Sequence, residues 1–127
     1  MEDLRAWIEV DLKAVKNNLQ FIKSLAPKNQ IMAVIKANAY GHGAIPIAKT
    51  VLSNGASWLG VALVEEGIEL REAGIAAPIL VLGAIPEAEV PLAVRWNLSI
   101  AFTAYRGAEI LAKAGKALGK KASGQLK

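Results

Sequence analysis

The stretch IMAVIKANAYGHGAIPIAKTVLSNG, residues 31–55, changes from one periodicity to another. Residues 31–36 are a continuous apolar run that ends at Lys36, which is typical of a strand covered on both faces. Residues 44–55 have the apolar spacing of a helix, with Gly55 as the expected stop. The stretch therefore predicts one strand-loop-helix unit with a lysine at the end of its strand.

The same alternation continues on both sides of this unit. Residues 7–12 alternate apolar and polar side chains like a half-buried strand, and residues 12–26 have the spacing of an amphipathic helix. Three more strand-helix pairs are predicted further on, with strands over 58–63, 78–83 and 98–103 and helices over 64–74, 87–96 and 104–119. Residues 120–127 are expected to be a basic tail with no strand.

Repeated strand-helix units imply an α/β fold with parallel strands joined by right-handed crossovers. Two architectures satisfy this order: an open doubly wound sheet and a (β/α)₈ barrel, which needs about 250 residues. In the barrel, domain 1–127 would be a truncated N-terminal half, with about four strand-helix units over 31–119.

Composition excludes several classes of protein. The chain has 127 residues, of which 54% are hydrophobic and 20% charged, and it contains no cysteine. It is therefore too apolar to be disordered, and it has neither disulfides nor thiolate metal sites. Charged residues interrupt every apolar run, so neither a membrane helix nor a signal peptide is expected, and a cytoplasmic location fits.

The formal net charge of +4 is unevenly distributed. Five lysines and no acidic residue lie within residues 113–127, so the rest of the chain is close to neutral. This basic segment has no interleaved aromatic residues and matches no nucleic-acid-binding motif. A solvated helix end explains the lysines, and no nucleic-acid partner is expected.

Lys36 is the first candidate for chemistry. In parallel α/β folds the active site lies at the carboxyl ends of the strands, where Lys36 is expected. A neutral amine beside apolar walls is a nucleophile toward an aldehyde, forms a Schiff base and can then move protons at a substrate carbon. The alternative is a lysine that only leaves the sheet and extends to water.

The residues after Lys36 favour a ligand. Tyr40 offers a ring and a hydroxyl group, while Gly41 and Gly43 allow the backbone to approach a flat cofactor closely. His42 is the only histidine, and a structural hydrogen bond is a simpler role for it than proton transfer. The sequence has no G-x-G-x-x-G or phosphate-loop motif, so a nucleotide cofactor is poorly supported.

VIKANAYGHGA closely resembles the cofactor-lysine signature of bacterial alanine racemases, which use pyridoxal 5′-phosphate (PLP). WIEVDLKAVKNNL, WLGVALVEEGIELREAGI and APILVLG extend the resemblance along almost the whole chain in matching order. The resemblance implies that Lys36 carries the cofactor and is one of two catalytic bases. It also implies that Tyr40 helps to hold the phosphate and that Leu82 lines the cofactor pocket.

The resemblance further implies where each strand lies and which parts of the family's active site have no match in this sequence. Strand 7–12 would lie outside the barrel, and four of its eight strands would be present. The family's D-T-G-M-G-R segment, its later phosphate-binding loops, its arginine at the pyridine nitrogen and its C-terminal domain with the second base, a tyrosine, have no match here. Tyr105 and Arg106 are expected to be surface residues and not replacements for these groups.

The function implied is interconversion of L- and D-alanine for peptidoglycan synthesis by a homodimer, with this chain inactive alone. The alternatives are a serine or broad-specificity racemase, a single-domain PLP carrier of the same barrel type, and a non-catalytic barrel fragment. Because strands 31–36 and 98–103 would be unpaired edges, the chain is expected to self-associate or to need a complementary fragment.

Overall fold

The computed structural model describes residues 6–127; residues 1–5 of the expected domain 1–127 lie outside the described part. Helical segments and strands alternate within it: α1 (Leu12–Leu25), β1 (Met32–Val34), α2 (Lys36–Tyr40), α3 (Ala44–Ser53), β2 (Trp58–Val61), α4 (Val64–Glu72), β3 (Ile79–Val81), a 3₁₀ turn (Glu87–Glu89), α5 (Val90–Arg95), β4 (Ser99–Phe102), α6 (Tyr105–Leu118) and β5 (Ser123–Leu126). The strand-helix order predicted over 31–119 is confirmed, although each strand is shorter than its apolar run.

The order of the strands distinguishes the two architectures. The sheet runs β1-β2-β3-β4-β5, and every neighbouring pair is parallel. A doubly wound sheet reverses its order at a switch point, whereas a barrel adds each strand beside the previous one. Since consecutive right-handed crossovers all place their helices on one face, the other face corresponds to a barrel interior. The fold is therefore part of a barrel and not an open doubly wound sheet.

The prediction of a strandless tail over 120–127 was wrong. Residues Ser123–Leu126 form β5, which pairs in parallel with β4, and the Ser123 and Ser99 hydroxyl groups are 2.8 Å apart. All four residues of β5 are exposed. The backbone ladder, and not burial of apolar side chains, defines this strand, so the sequence had no apolar run to reveal it. The edge of the sheet is therefore β5 and not strand 98–103.

The strand predicted over 7–12 was also wrong. Residues 7–11 have no regular structure, and α1 begins at Leu12, where the Asp11 carboxylate accepts hydrogen bonds from the first backbone N–H groups of the helix. Trp7 and Ile8 are 69% and 79% exposed. A strand needs a neighbouring ladder, and the alternating pattern of these residues has none within the described part of the chain.

The main core lies between the sheet and its helices. Leu59, Val61, Ile79, Val81 and Ile100 on the strands are buried against apolar residues of the helices. Alternate strand residues point to the opposite face. There, a cavity of about 250 Å³ is lined by Gln30, Met32, Trp58 and Gln125, so β5 lies across from β1 and β2 and the sheet is curved.

Arg71 forms hydrogen bonds to the segments that precede β3 and β4, at the end of the sheet where the strands begin. Its Nη1 donates to the carbonyl oxygens of Ile75 and Ala77 at 2.6 and 2.7 Å, its Nη2 donates to that of Asn97 at 2.9 Å, and its Nε donates to that of Trp96 at 3.1 Å. These carbonyls belong to the segments that lead into β3 and β4. Burial lowers the pKa of the guanidinium group from its ordinary value.

Candidate active site

Lys36 lies immediately beyond the carboxyl end of the first strand. Strand β1 ends at Val34, two residues earlier than expected, and Lys36 begins α2. The Lys36 side chain is exposed and not enclosed by the apolar walls that the sequence suggested. Its backbone is held close to β2, since the preceding residue, Ile35, is buried and donates its N–H to the Gly60 carbonyl at 2.8 Å.

The segment after Lys36 is a left-handed turn, residues 37–40. Ala37, Asn38, Ala39 and Tyr40 have φ angles of 51°, 53°, 53° and 54°. This conformation costs L-residues roughly 1–2 kcal/mol each, and only glycine adopts it freely. Four consecutive non-glycine residues therefore need support from their surroundings.

Part of this support comes from the loop that follows. The Asn38 side-chain oxygen accepts a hydrogen bond from the Ala44 N–H at 2.7 Å, and the Asn38 carbonyl accepts one from Gly43 at 2.9 Å. The His42 ring nitrogen Nδ1 lies 2.9 Å from the Ala39 carbonyl oxygen, which can only accept, so Nδ1 donates. This hydrogen bond gives His42 the structural role expected from the sequence.

Glu66, in the first turn of α4, supplies support from a neighbouring strand-helix unit. Its Oε1 accepts a hydrogen bond from the Ala37 N–H at 2.7 Å. Its Oε2 accepts hydrogen bonds from the N–H groups of Ala62 and Leu63 at 2.7 and 3.1 Å. One carboxylate thus joins the turn after β1 to the loop after β2.

Leu82 lies against Gly60 of β2, close to side chains of β1. A Cβ atom built on Gly60 would lie 3.0 Å from Leu82 Cδ1, 3.2 Å from Met32 Sδ and 3.4 Å from Val34 Cγ2. Because Gly60 has no side chain, Leu82 from the end of β3 and Met32 and Val34 from β1 all lie against it on the inner face of the sheet. Val34 is only two residues from Lys36, so Leu82 and Lys36 lie in the same region of the sheet.

Tyr40 is the last residue of the left-handed turn. Its side chain is 60% exposed, and it ends the same short segment that Lys36 begins. Lys36, Tyr40 and Leu82 are therefore all grouped around the carboxyl ends of β1, β2 and β3. Glu66 and Gly60 complete this group, and sequence reasoning did not select them.

Tyr105 and Arg106 are surface residues, as expected. Tyr105 is 79% exposed, and Arg106 forms an exposed ion pair with Glu87 at 3.2 Å. Glu87 also borders a largely apolar cleft of about 200 Å³ beyond β4, with Thr103 as its other polar lining residue.

Residues 6–127 offer neither a metal site nor a membrane-spanning helix. No group of three or more histidine, aspartate or glutamate side chains in this part is placed to hold a metal ion. No helix in it has both the length and the apolar character needed to cross a membrane.

A consecutive parallel sheet with intervening helices, and a lysine at the carboxyl end of its first strand, defines a chain of the (β/α)-barrel class. The family model described as alanine racemase, N-terminal domain, matches residues 10–127. The chain belongs to this family.

Individual relatives agree with the family assignment. The chain is 57% identical over 97 residues to the alanine racemase of Nostoc sp., covering 74% of this chain and 25% of that protein. It is 49% identical over 121 residues to that of Synechocystis sp., covering 90% and 32%. The chain thus spans about a third or less of the length of these relatives.

Solved structures give the same result. Alanine racemase from Clostridium difficile 630 superposes with a TM-score of 0.92 at 35% identity, covering 98% of this chain and 33% of that one. The histidine racemase from Leuconostoc mesenteroides superposes with a TM-score of 0.86 at 32% identity, with the same coverage. One fold therefore occurs in racemases that are named for different amino acids.

Proposed function

We propose that this chain is the cofactor-lysine part of an alanine racemase, with Lys36 as the residue that binds PLP and acts as one of two bases. The observation that carries the proposal is the position of Lys36, exposed beyond β1 on a segment fixed by hydrogen bonds from two directions. Family membership supports racemisation as the reaction class. The reaction that we propose is interconversion of L- and D-alanine for peptidoglycan synthesis in the cytoplasm.

The residues present fit PLP. An exposed primary amine and an exposed phenol hydroxyl, those of Lys36 and Tyr40, suit an aldehyde and a phosphate respectively. Leu82 lies against Gly60 beside Met32 and Val34, and this apolar surface would give a ring an apolar contact. When bound, the cofactor withdraws electron density from the substrate and makes its Cα proton acidic.

Each residue of the group has a separate task. The Lys36 Nζ would hold the cofactor through its aldehyde group, with loss of water, and would accept or return the proton at one face of the substrate Cα. The Tyr40 hydroxyl donates a hydrogen bond to phosphate, and Leu82 excludes water from one side of the ring. The resemblance implies that the remaining phosphate contacts would come from outside residues 1–127, and that the second base would be supplied by the partner subunit of a homodimer.

Borohydride trapping tests the attachment point. Purified chain is mixed with PLP, reduced and analysed by peptide mass spectrometry. The phosphopyridoxyl adduct is expected on Lys36, and Lys36→Ala should remove it. The control is Lys49→Ala, which removes an exposed lysine of α3 and should leave labelling of Lys36 unchanged. Labelling of other lysines with Lys36 unmodified would contradict the proposal.

The activity of the chain by itself is a separate question. Because one base cannot both remove and return the proton on opposite faces, purified 1–127 with PLP is expected to show no appreciable racemisation of alanine, serine or histidine. Loss of one member of a concerted catalytic set lowers rates by orders of magnitude. A Lys36-dependent turnover of roughly 1 to 10³ s⁻¹, as ordinary enzymes show, would refute this expectation.

A further inference from the structure

We propose that Glu66 is a positioning residue for Lys36, acting through the peptide group between Lys36 and Ala37. The inference rests on the proposed function of Lys36 and adds a residue that the sequence did not select. Glu66 touches neither of the proposed cofactor contacts Tyr40 and Leu82 in the hydrogen bonds that it makes.

The hydrogen bond to Glu66 restrains the backbone of Lys36 itself. The N–H that Glu66 Oε1 accepts at 2.7 Å belongs to the peptide group that joins Lys36 to Ala37. Holding this group fixes the rotation about the Cα–C bond of Lys36. The direction in which the Lys36 side chain leaves the backbone is therefore set by a residue 29 positions further along the chain.

A carboxylate is the group that this position requires. Three N–H donors, those of Ala37, Ala62 and Leu63, converge on the two oxygens. An ionised carboxylate accepts several hydrogen bonds and presents no donor, whereas glutamine would direct an NH₂ group at one or more of these donors. The first turn of α4 also favours a negative charge, because the helix dipole is positive there.

The strained backbone of the left-handed turn needs the hydrogen bond between Glu66 and the Ala37 N–H. Residues 37–40 would relax toward ordinary φ angles if their hydrogen bonds were lost. Asn38 and His42 hold the later part of the turn to its own loop. Glu66 alone, among the side chains of residues 6–127, hydrogen-bonds the first N–H of the turn and connects it to the loop after β2.

Glu66→Gln and Glu65→Gln form a matched pair. Glu65 is the exposed neighbour in the same helical turn, and its side chain makes no hydrogen bond within the described residues. Hydrogen exchange of the full chain without cofactor is followed by fragmentation mass spectrometry. The Ala37 and Ala62 amides should exchange about tenfold faster in Glu66→Gln, as expected for loss of a charge-assisted hydrogen bond, and should be unchanged in Glu65→Gln.

A second measurement addresses the lysine. In the borohydride experiment, the ratio of labelling at Lys36 to that at Lys49 should fall about tenfold in Glu66→Gln and remain constant in Glu65→Gln. A residue that only stabilised the fold would instead accelerate exchange throughout, including the buried strand Ile79–Val81, and would leave the labelling ratio unchanged.

The outcomes separate this inference from the proposed function. Unchanged exchange at Ala37 in Glu66→Gln, or uniform acceleration across the sheet, would overturn the positioning role even if Lys36 is labelled. Absence of labelling at Lys36 in the unaltered chain would instead refute the cofactor role, and the exchange data alone would then decide whether Glu66 fixes the Lys36–Ala37 peptide.

Discussion

The side-chain oxygen of Asn38 and the backbone N–H of Ala44 are joined by a 2.7 Å hydrogen bond that closes the glycine-rich loop between the left-handed turn and α3. Ala44 is the first residue of α3, and the residue before it, Gly43, has no side chain to cap the helix. Asn38 therefore acts as a cap from six positions upstream.

Asn38→Ala should lower the free energy of unfolding by about 1–2 kcal/mol, because an N-terminal cap is lost and a strained residue loses its partner. Urea denaturation followed by circular dichroism measures the change. Asn18→Ala, at an exposed position of α1, is the control and should be close to neutral. Equal effects of the two substitutions would show that the loop does not depend on Asn38.

Gly60→Ala should destabilise the chain by about 1–3 kcal/mol, because the added Cβ would lie within 3.0 Å of Leu82 Cδ1. The double variant with Leu82→Ala provides the test, since removing the leucine side chain relieves this contact. The two substitutions should be less than additive in urea denaturation. If the two changes in the free energy of unfolding are strictly additive, the Leu82 side chain does not contact the Gly60 position.

Arg71→Met should be the most destabilising of these substitutions, at about 3 kcal/mol or more, because four backbone carbonyls lose their donor. Although burial lowers the pKa of Arg71, a guanidinium remains charged near neutral pH in both the folded and the unfolded chain. Its contribution should therefore be constant there and change only in strong alkali. Arg95→Met, at an exposed position, is the comparison in thermal and urea melts.

The chain should self-associate, because β1 and β5 have no outer partner strand among residues 6–127 and β5 is exposed along its whole length. Sedimentation velocity across a dilution series measures the association. Leu126→Lys, which places a charge on the β5 edge, should weaken it more than Leu92→Lys on α5. A monomer at every concentration would show that the edges are protected in another way.

The periodic segments could be predicted from the sequence, since apolar runs and helical spacing record burial directly. The strand ending near Lys36 and the helix over 44–55 follow from this pattern. Strand β5 does not, because Ser123–Leu126 is defined by backbone pairing at an exposed edge. For the same reason, the alternating pattern over 7–12 led to a wrong strand prediction. Residues with this pattern form a strand only when a partner strand supplies backbone hydrogen bonds.

The site could be predicted only in part. The signature around Lys36 indicated the lysine. Of residues 37–40 only Asn38 is of a type that favours a left-handed conformation, and the two alanines and the tyrosine beside it give no sign of a four-residue left-handed turn. Glu66 was visible only as an acidic residue in a first helical turn. A carboxylate three residues after a helix N-cap, here Leu63, was the available signal, yet its contact with Ala37 depends on the tertiary fold.

The left-handed turn is, in its backbone angles, the mirror image of an ordinary α-helix. A residue of the opposite chirality would be unstrained there. In a chain made by chemical synthesis, D-alanine at position 37 should raise the free energy of unfolding by about 1 kcal/mol, whereas D-alanine in place of Ala48 in the right-handed α3 should lower it by at least as much. The segment that carries the proposed racemising lysine would thus itself accept one enantiomer of alanine in preference to the other.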